Sequence, residues 1–351
     1  MGKVLGFKDE VPQGSSWRIL VTLLPVLFAF IRAIILHPKQ ARGIIKQARA
    51  AKKKDQTLRP CQRKGPPYSI PVYRTGMNRY LSREKYLRPS RLIESDAPEI
   101  IAVANQLGAF QNASKTFAES CFAYIQRNIN FTFLSPLKGA RQTLITGEGV
   151  CFDKANLFVA FCRAGGVPAR LRSLSIALNQ QLYEGYTGEI PFMKHFYDAV
   201  GYLAGHIIAE AFVEGKWQVA DVSLDDCYQA YVGLPLSRFG ADSEGLWHWE
   251  VPGKSYHYEQ IPRLFEAAAQ ISLKYYRGFF LVMQENWQER HQAGRNIIEA
   301  LGGEEAYDKK IRQTYQAKLP EVSKRLFKLL NEDETGKDPA DPIDSLKGPA
   351  L

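Results

Sequence analysis

The longest run of apolar residues lies near the beginning of the chain, from Ile19 to Leu36. All but three of its 18 positions are apolar, and a helix of about 20 such residues can span a membrane. A cleaved signal peptide is disfavoured, because Asp9 and Glu10 precede the run and no cleavage-site pattern of small residues follows it. We therefore expect residues 1–38 to form a hydrophobic membrane-anchor segment. A helix packed on the following domain is the alternative.

The polar pattern changes directly after this run, where basic residues accumulate between Lys39 and Lys64. Ten Lys or Arg residues stand there against one acid, so the segment carries nearly all of the formal net charge of +10. A polybasic segment beside an apolar one is typical of binding to an anionic membrane surface, and it predicts a cytoplasmic catalytic domain. A solvated basic helix is the alternative. Nucleic-acid binding is not expected, since no nucleic-acid-binding motif accompanies the charge.

A globular domain is predicted to begin after a basic, proline-containing linker at residues 39–90. Over residues 91–235, apolar residues recur first at helical spacing and later in strand-like runs. The most apolar helical stretch ends at Gly165 and Gly166, a helix-stop signal. This mixture predicts an α+β fold in which a buried helix packs against an antiparallel sheet. Residues 179–205 are predicted to be a long loop that carries His195.

The last third of the chain reads as helical. Residues 236–332 carry apolar stripes at helical spacing and are predicted to form a helical C-terminal extension. Residues 333–351 are polar and contain three prolines, so we expect a disordered tail. These patterns do not predict the oligomeric state.

The candidate nucleophile is Cys151, which stands where a glycine-rich turn opens into the buried helix. Unpaired backbone N–H groups and the positive end of the helix dipole favour a thiolate at that position. The five cysteines include no C-x-x-C pair, which argues against a disulfide framework and against a zinc site. We therefore expect no metal and no cofactor. Cys121 and Cys162 fall within apolar helical patterns and are predicted to be small buried hydrophobes.

The candidate base and its orienting acid come from a predicted β-hairpin around Glu214-Gly215. A two-residue turn there pairs Val213 with Lys216 and Phe212 with Trp217. Side chains alternate between the two faces of a strand, so His206 and Asp221 fall on one face as diagonal cross-strand neighbours. A three-residue loop would break this parity. His195 competes only weakly as the base, because it lacks the strand context and a partner aspartate.

Several spaced motifs resemble the transglutaminase-like superfamily over roughly residues 95–223. They are Gly149-Val-Cys151, Gly166-Val-Pro-Ala-Arg170, His206 with Glu210, and Trp217-Gln-Val-Ala-Asp221. The resemblance implies a papain-like core and a catalytic triad of Cys151, His206 and Asp221. Two positions depart from the family pattern: Ile208 stands where an aromatic residue is common, and Val222-Ser223 replaces Pro-Thr. Neither departure removes a reacting group.

The resemblance implies acyl chemistry on an amide or peptide substrate. If water accepts the acyl group, the enzyme is a peptidase or amidase; if an amine accepts it, the enzyme cross-links proteins. Resemblance to the superfamily's microbial members favours hydrolysis. One alternative is acyl transfer of the arylamine-acetyltransferase type, since Gly149-Val-Cys-Phe-Asp resembles that family, although its arginine-bearing turn is missing. The other alternative is a catalytically silent, membrane-tethered scaffold.

Overall fold

The structure is a computed structural model, and its secondary structure combines helices with one main antiparallel sheet, which confirms the predicted α+β class. It describes residues 14, 16–57, 68–80, 82–134, 137–188, 191–240, 246–252, 254–275, 277–285 and 287–335. The helices are α1 (Ser16–Leu36), α2 (Pro38–Thr57), α3 (Pro98–Gln106), α4 (Ser114–Asn128), α5 (Ala140–Thr146), α6 (Cys151–Ala164), α7 (Gln180–Gly188), α8 (Pro191–Val200), α9 (Asp226–Tyr231), α10 (Arg263–Tyr275), α11 (Arg277–Gln284), α12 (Trp287–Ala300), α13 (Glu304–Thr314) and α14 (Glu321–Thr335). The strands are β1 (Asn130–Phe131), β2 (Glu148–Gly149), β3 (Ala169–Leu178), β4 (Leu203–Val213), β5 (Lys216–Ala220), β6 (His248–Glu250) and β7 (Tyr256–Tyr258).

Helix α6 is the centre of the main hydrophobic core. Every residue from Phe152 to Ala164 is buried, and this confirms the buried helix predicted from the run Ala155 to Cys162, which is apolar apart from Asn156. The helix contacts β3 and β4 of the sheet as well as α3, α4 and α5. The first residue of α6 therefore has a fixed position relative to the sheet, because the helix packs closely against strands and helices rather than against loops.

The main sheet has the strand order β5-β4-β3-β6, and β7 also pairs with β3. The predicted hairpin is confirmed: β4 and β5 are antiparallel, with Val213 opposite Lys216 and Phe212 opposite Trp217. Both turn residues have positive φ, 52° at Glu214 and 78° at Gly215, as a type I′ hairpin turn requires. The two-residue turn keeps the parity on which the pairing of His206 with Asp221 depends.

A buried ion pair joins the two central strands near this hairpin. Arg170 on β3 lies opposite Glu210 on β4, and its Nε donates to Glu210 Oε2 at 2.5 Å. The Arg170 guanidinium also lies over the Trp217 ring, 4.0 Å from the ring centroid. Glu210 Oε1 also accepts a hydrogen bond from Arg172 Nη1 at 3.2 Å, so removing the Glu210 carboxylate would take a counter-charge from two arginines of β3.

The prediction of a long loop at residues 179–205 is wrong, because the segment forms α7 and α8. The Asn179 side chain accepts a hydrogen bond from the Leu182 backbone N–H at 2.8 Å and so caps the start of α7. On α8, Phe192, Met193 and Phe196 are buried at helical spacing. The apolar face of α8 packs against α1, which supplies the burial that a short helix needs in order to persist.

Helix α1 turns one face toward α8 and the other toward solvent. Ala29 and Ala33 are buried against α8, and the Phe30 ring lies 5.5 Å from that of Phe192. Outward-facing apolar residues recur at helical spacing on the opposite side, namely Leu24, Leu27, Phe28, Ile31, Ile34 and Ile35. No helix among the residues described in full is both long and apolar enough to span a membrane. The predicted anchor lies partly outside the described residues, which exclude positions 1–13 and 15 and the side chains of 16–23 and 26.

The first part of the basic segment lies in helix α2. This part therefore agrees with the alternative of a solvated basic helix. Basic side chains lie on the exposed side, namely Lys39, Arg42, Lys46, Arg49, Lys52 and Lys53, while Ala41 and Ile44 are buried. Residues 58–67, which include Arg59, Arg63 and Lys64, lie outside the described residues, as does the side chain of Lys54.

The C-terminal region contains helices α10 to α14, as the apolar stripes predict. It also contributes β6 and β7 to the main sheet, where both pair with β3. Each of these strands has only three residues, too few for an alternation pattern to be recognised in the sequence. The predicted disordered tail lies outside the described residues from position 336 onward.

Candidate active site

Cys151 is the first residue of α6, and the residues around it fix how the helix begins. Asp153 Oδ2 accepts a hydrogen bond from the Val150 backbone N–H at 3.2 Å, and its Oδ1 accepts one from the Lys138 backbone N–H at 2.7 Å. A Cβ atom at Gly149 would lie 2.7 Å from Asp153 Cβ, so only glycine fits before the helix. The glycine-rich turn therefore sets the position of the cysteine, whose side chain is half-buried.

The hairpin brings His206 and Asp221 together. His206 lies on β4 and Asp221 directly follows β5, and His206 Nε2 lies 3.1 Å from Asp221 Oδ2. Asp221 Oδ1 accepts a hydrogen bond from the Ser223 backbone N–H at 3.0 Å, which holds the carboxylate in place. The diagonal contact predicted from the hairpin register is therefore present.

Cys151 and His206 line the same chamber, and the Cys151 side chain raises the pKa of His206, so the thiol lies close to the hydrogen-bonded pair of His206 and Asp221. Nε2 of the imidazole is engaged with Asp221, which leaves Nδ1 as the nitrogen available to the thiol. Burial disfavours the charged imidazolium, but the Asp221 carboxylate and the Cys151 side chain outweigh burial and raise the pKa of His206 to about 10. The imidazole is accordingly protonated at neutral pH.

Asp221 has a second histidine partner that the sequence did not identify as functional. His248 on β6 is buried, and its Nε2 lies 3.1 Å from the same Asp221 Oδ2 atom that faces His206. Burial lowers the pKa of His248 against the opposing effect of Asp221, so the ring is neutral and donates its Nε2–H to the carboxylate. Burial also opposes ionisation of Asp221, yet His206 and His248 together hold the pKa of Asp221 far below its usual range.

Among the described residues, His206, Asp221 and His248 also form a group that could hold a metal ion, since their ligand atoms lie within 4.8 Å of one another. In the observed arrangement, Nε2 of each histidine contacts the same carboxylate oxygen, which requires an N–H group at each nitrogen. A metal ion would have to replace both hydrogen bonds. The residues thus fit a proton-transfer site more directly than a metal site.

A buried lysine lies one helical turn after the cysteine. The Lys154 side chain is fully buried, and its Nζ donates to the Ser223 carbonyl oxygen at 3.2 Å. Burial lowers the pKa of Lys154 to about 8, while the carboxylates of Asp225, Asp226 and Asp221 oppose the shift. Lys154 therefore retains a positive charge near the thiol at neutral pH. The signal that could have identified it is a lysine directly before the apolar run of this helix, one turn after the candidate nucleophile.

Cys151 and His206 line a partly open chamber with a volume of about 180 Å³. Its walls come from β3, β4, α7, α9, α11 and α12 and from the segment that contains Phe131 and Phe133. Most of the lining side chains are aliphatic or aromatic. A chamber of this kind beside a nucleophile is the usual form of a small-molecule or side-chain binding site.

His195, the weaker candidate for the base, lies on α8 and away from the hydrogen-bonded pair of His206 and Asp221. Its ring stacks on that of His37, with the centroids 3.5 Å apart and the planes 4° from parallel. The described residues that line the chamber do not include it. Cys121 and Cys162 are fully buried in the core, as predicted.

Comparison with known proteins relates part of the chain to one family. Residues 101–222 match the profile of the transglutaminase-like superfamily. Among solved structures, the chain is similar to a "putative cysteine protease from Cytophaga hutchinsonii", with 19% sequence identity and a TM-score of 0.31. This match covers 51% of the present chain and 52% of the other, so the chain spans about half of that structure. No curated protein matches the chain.

Proposed function

Because residues 101–222 carry the core of the transglutaminase-like superfamily, we propose that the protein is a cysteine-nucleophile enzyme acting on amide or peptide bonds. The observation that carries the proposal is that His206, hydrogen-bonded to Asp221, lines the same chamber as Cys151, whose side chain raises the pKa of His206. In this proposal Cys151 is the nucleophile, His206 moves the proton and Asp221 orients the imidazole. The protonated state of His206 at neutral pH supports a thiolate–imidazolium pair.

The proposed reaction has two steps. The Cys151 sulfur attacks the substrate carbonyl carbon, the C–N bond breaks, and the leaving amine takes the proton of His206. The Cys151 backbone N–H, which lies in the first turn of α6, donates to the developing oxyanion. Water then attacks the acyl-enzyme and gives one proton to His206, the carbon–sulfur bond breaks, and the acid is released while the Cys151 thiolate is regenerated beside the protonated His206. This is peptidase or amidase hydrolysis, and an amine in place of water gives cross-linking.

The assignment of His206 as the base is tested by the reactivity of Cys151 toward iodoacetamide, which requires no substrate. We expect His206→Ala to slow alkylation of Cys151 at pH 6 by about 10²-fold, because a cysteine without an imidazolium partner has only a small thiolate fraction there. Peptide mapping by mass spectrometry identifies the labelled cysteine.

His195→Ala is the matched control, since it removes the histidine that stacks on His37, apart from the hydrogen-bonded pair of His206 and Asp221. It should leave the alkylation rate within about twofold of the wild-type rate. Equal losses in the two variants would overturn the assignment, and an unreactive Cys151 in the wild-type protein would favour the scaffold alternative.

We also propose that α1 and α2 hold the enzyme on an anionic membrane surface at its cytoplasmic side. Support comes from the apolar outward face of α1, which includes Leu27, Phe28, Ile31 and Ile35, and from the exposed basic side chains of α2. An apolar face beside a basic face is the composition that lies in the interface of an anionic bilayer. The inner face of α1 packs on α8, which supports surface attachment of the folded domain.

Binding to lipid vesicles tests this surface. We expect the full-length protein to float with phosphatidylserine-containing vesicles, and Lys46→Gln with Arg49→Gln to weaken binding about 30-fold, since each basic residue contributes roughly 1 kcal/mol. The double variant Lys309→Gln and Lys310→Gln, which removes two exposed charges of α13, is the control and should bind like wild type. Equal binding by all three proteins would refute the proposal that the basic side chains of α2 bind the membrane surface.

A further inference from the structure

The chamber beside Cys151 has a preformed aromatic wall. The Trp287 ring is buried and contacts Phe131, Phe133 and Tyr228, with ring centroids 5.3, 5.2 and 4.3 Å away. The backbone around these rings is also held, because the Phe131 N–H donates to Asp225 Oδ2 at 3.1 Å and the Phe133 N–H to Gln284 Oε1 at 2.8 Å. These contacts hold the aromatic wall in one conformation without a ligand. Binding of an apolar group therefore costs no entropy for ordering the wall.

The opposite walls are aliphatic. Ile176 and Leu178 come from β3, Leu182 from α7 and Met283 from α11. Among the described lining residues, Arg290 supplies the cationic group, while Cys151 and His206 are engaged in the proposed chemistry. A charged or strongly polar substituent placed among the aliphatic walls would lose hydrogen bonds to water without replacement, whereas an apolar one gains by leaving water.

We propose that this chamber binds the acyl part of the substrate, and that the preferred acyl group is large and apolar, an alkyl or arylalkyl chain. The inference rests on the proposed function, because it assigns the chamber to the group that becomes bonded to Cys151. When the sulfur–carbon bond forms and the bond to the leaving group breaks, the leaving group departs with the His206 proton. The acyl chain stays in the chamber through the second step.

The acyl part of the substrate is a better occupant of the chamber than the leaving group, because its burial contributes to both acylation and hydrolysis of the acyl-enzyme. An apolar leaving group would have to leave the chamber before water could enter, whereas an acyl chain remains seated while the thioester is hydrolysed. The chamber has a volume of about 180 Å³, which limits the length of chain that it can hold, so it should select by length.

The test measures acylation of the full-length protein by 4-nitrophenyl esters with acyl chains of two to ten carbons. We expect kcat/KM to rise about fourfold for each added methylene until the chamber is filled, on the order of 10²-fold from acetyl to hexanoyl. The same esters with free cysteine give the intrinsic reactivity of each ester. Acetate esters of 4-alkylphenols, in which the chain is on the leaving group, should show no such rise.

Gly185 offers a way to fill the chamber. It lines the wall on α7, and a Cβ atom added there would meet nothing within 4 Å, so Gly185→Trp adds volume without a first-atom clash. We expect this variant to lower the ratio of octanoyl to acetyl rates at least tenfold. Gly43→Trp is the matched control, because Gly43 is also an unhindered helical glycine but lies on α2, and its chain-length profile should match wild type.

The possible outcomes separate the two proposals. A rise with acyl length that Gly185→Trp removes supports the acyl chamber. Acylation of Cys151 at a rate that is independent of acyl length, or that rises only with leaving-group length, overturns the acyl chamber and leaves the proposed function standing. Absence of a Cys151 acyl-enzyme with every ester overturns both. The wild-type series gives these answers even if the tryptophan variant does not fold.

Discussion

Replacing Cys151 by alanine is expected to abolish turnover while the protein stays folded. The change deletes the nucleophile, and loss of a nucleophile in a serine protease lowers kcat on the order of 10⁶-fold. The fold should tolerate it, because Cys151 is half-buried at the first turn of α6 and alanine is a good helix former. Steady-state rates and thermal unfolding of the two proteins measure the two halves of this prediction.

Cys162→Ala gives the opposite pattern and serves as the matched control. Cys162 is fully buried on the same helix, so its removal leaves a small cavity and lowers the free energy of unfolding by about 1 kcal/mol. Its effect on kcat should be slight. If Cys162 reacts with thiol reagents faster than Cys151 in the native protein, the assignment of the nucleophile is wrong.

Asp221→Asn is expected to lower kcat by about 10⁴-fold, the loss seen when the corresponding aspartate of a serine-protease triad is changed to asparagine. The pH profile should change as well. The proposed reaction requires the imidazolium form of His206. Burial opposes this form, but Asp221 outweighs burial and is the main group that raises the pKa of His206 to about 10. Without that carboxylate the pKa of His206 falls, so the alkaline limb of the rate profile moves to lower pH.

Asp308→Asn is the control for removing a buried carboxylate. Asp308 is buried and bonded to Arg312, but it lies on α13 and outside the hydrogen-bonded pair of His206 and Asp221. The variant should lose stability while keeping the wild-type pH profile. A normal alkaline limb in Asp221→Asn would show that Asp221 does not set the protonation of His206.

The hairpin and the buried helix could be predicted because each depends on local rules. Strand alternation and a two-residue turn with Gly215 fix the relative positions of His206 and Asp221 once the turn is recognised. The burial of Ala155 to Cys162 in α6 follows in the same way from a run that is apolar apart from Asn156. Both features depend on residues that are close in the chain.

The contacts missed from the sequence depend on chain segments that are far apart. His248 reaches Asp221 across 27 residues and from a three-residue strand, so no spacing rule links the two. The sequence does not reveal α7 and α8 because each helix is short, and α1 completes the burial of Phe192 and Phe196 on α8. The sequence pattern shows an apolar face but not its partner.

The central claim is that Cys151 forms a covalent acyl-enzyme, and intact-mass spectrometry of the quenched reaction tests it most directly. The wild-type protein is mixed with an acyl 4-nitrophenyl ester, stopped with acid within the burst, and compared with Cys151→Ala. We predict a mass increase equal to one acyl group, which peptide mapping assigns to Cys151, and no increase in the variant. An adduct on another residue, or equal labelling of the two proteins, would contradict the account.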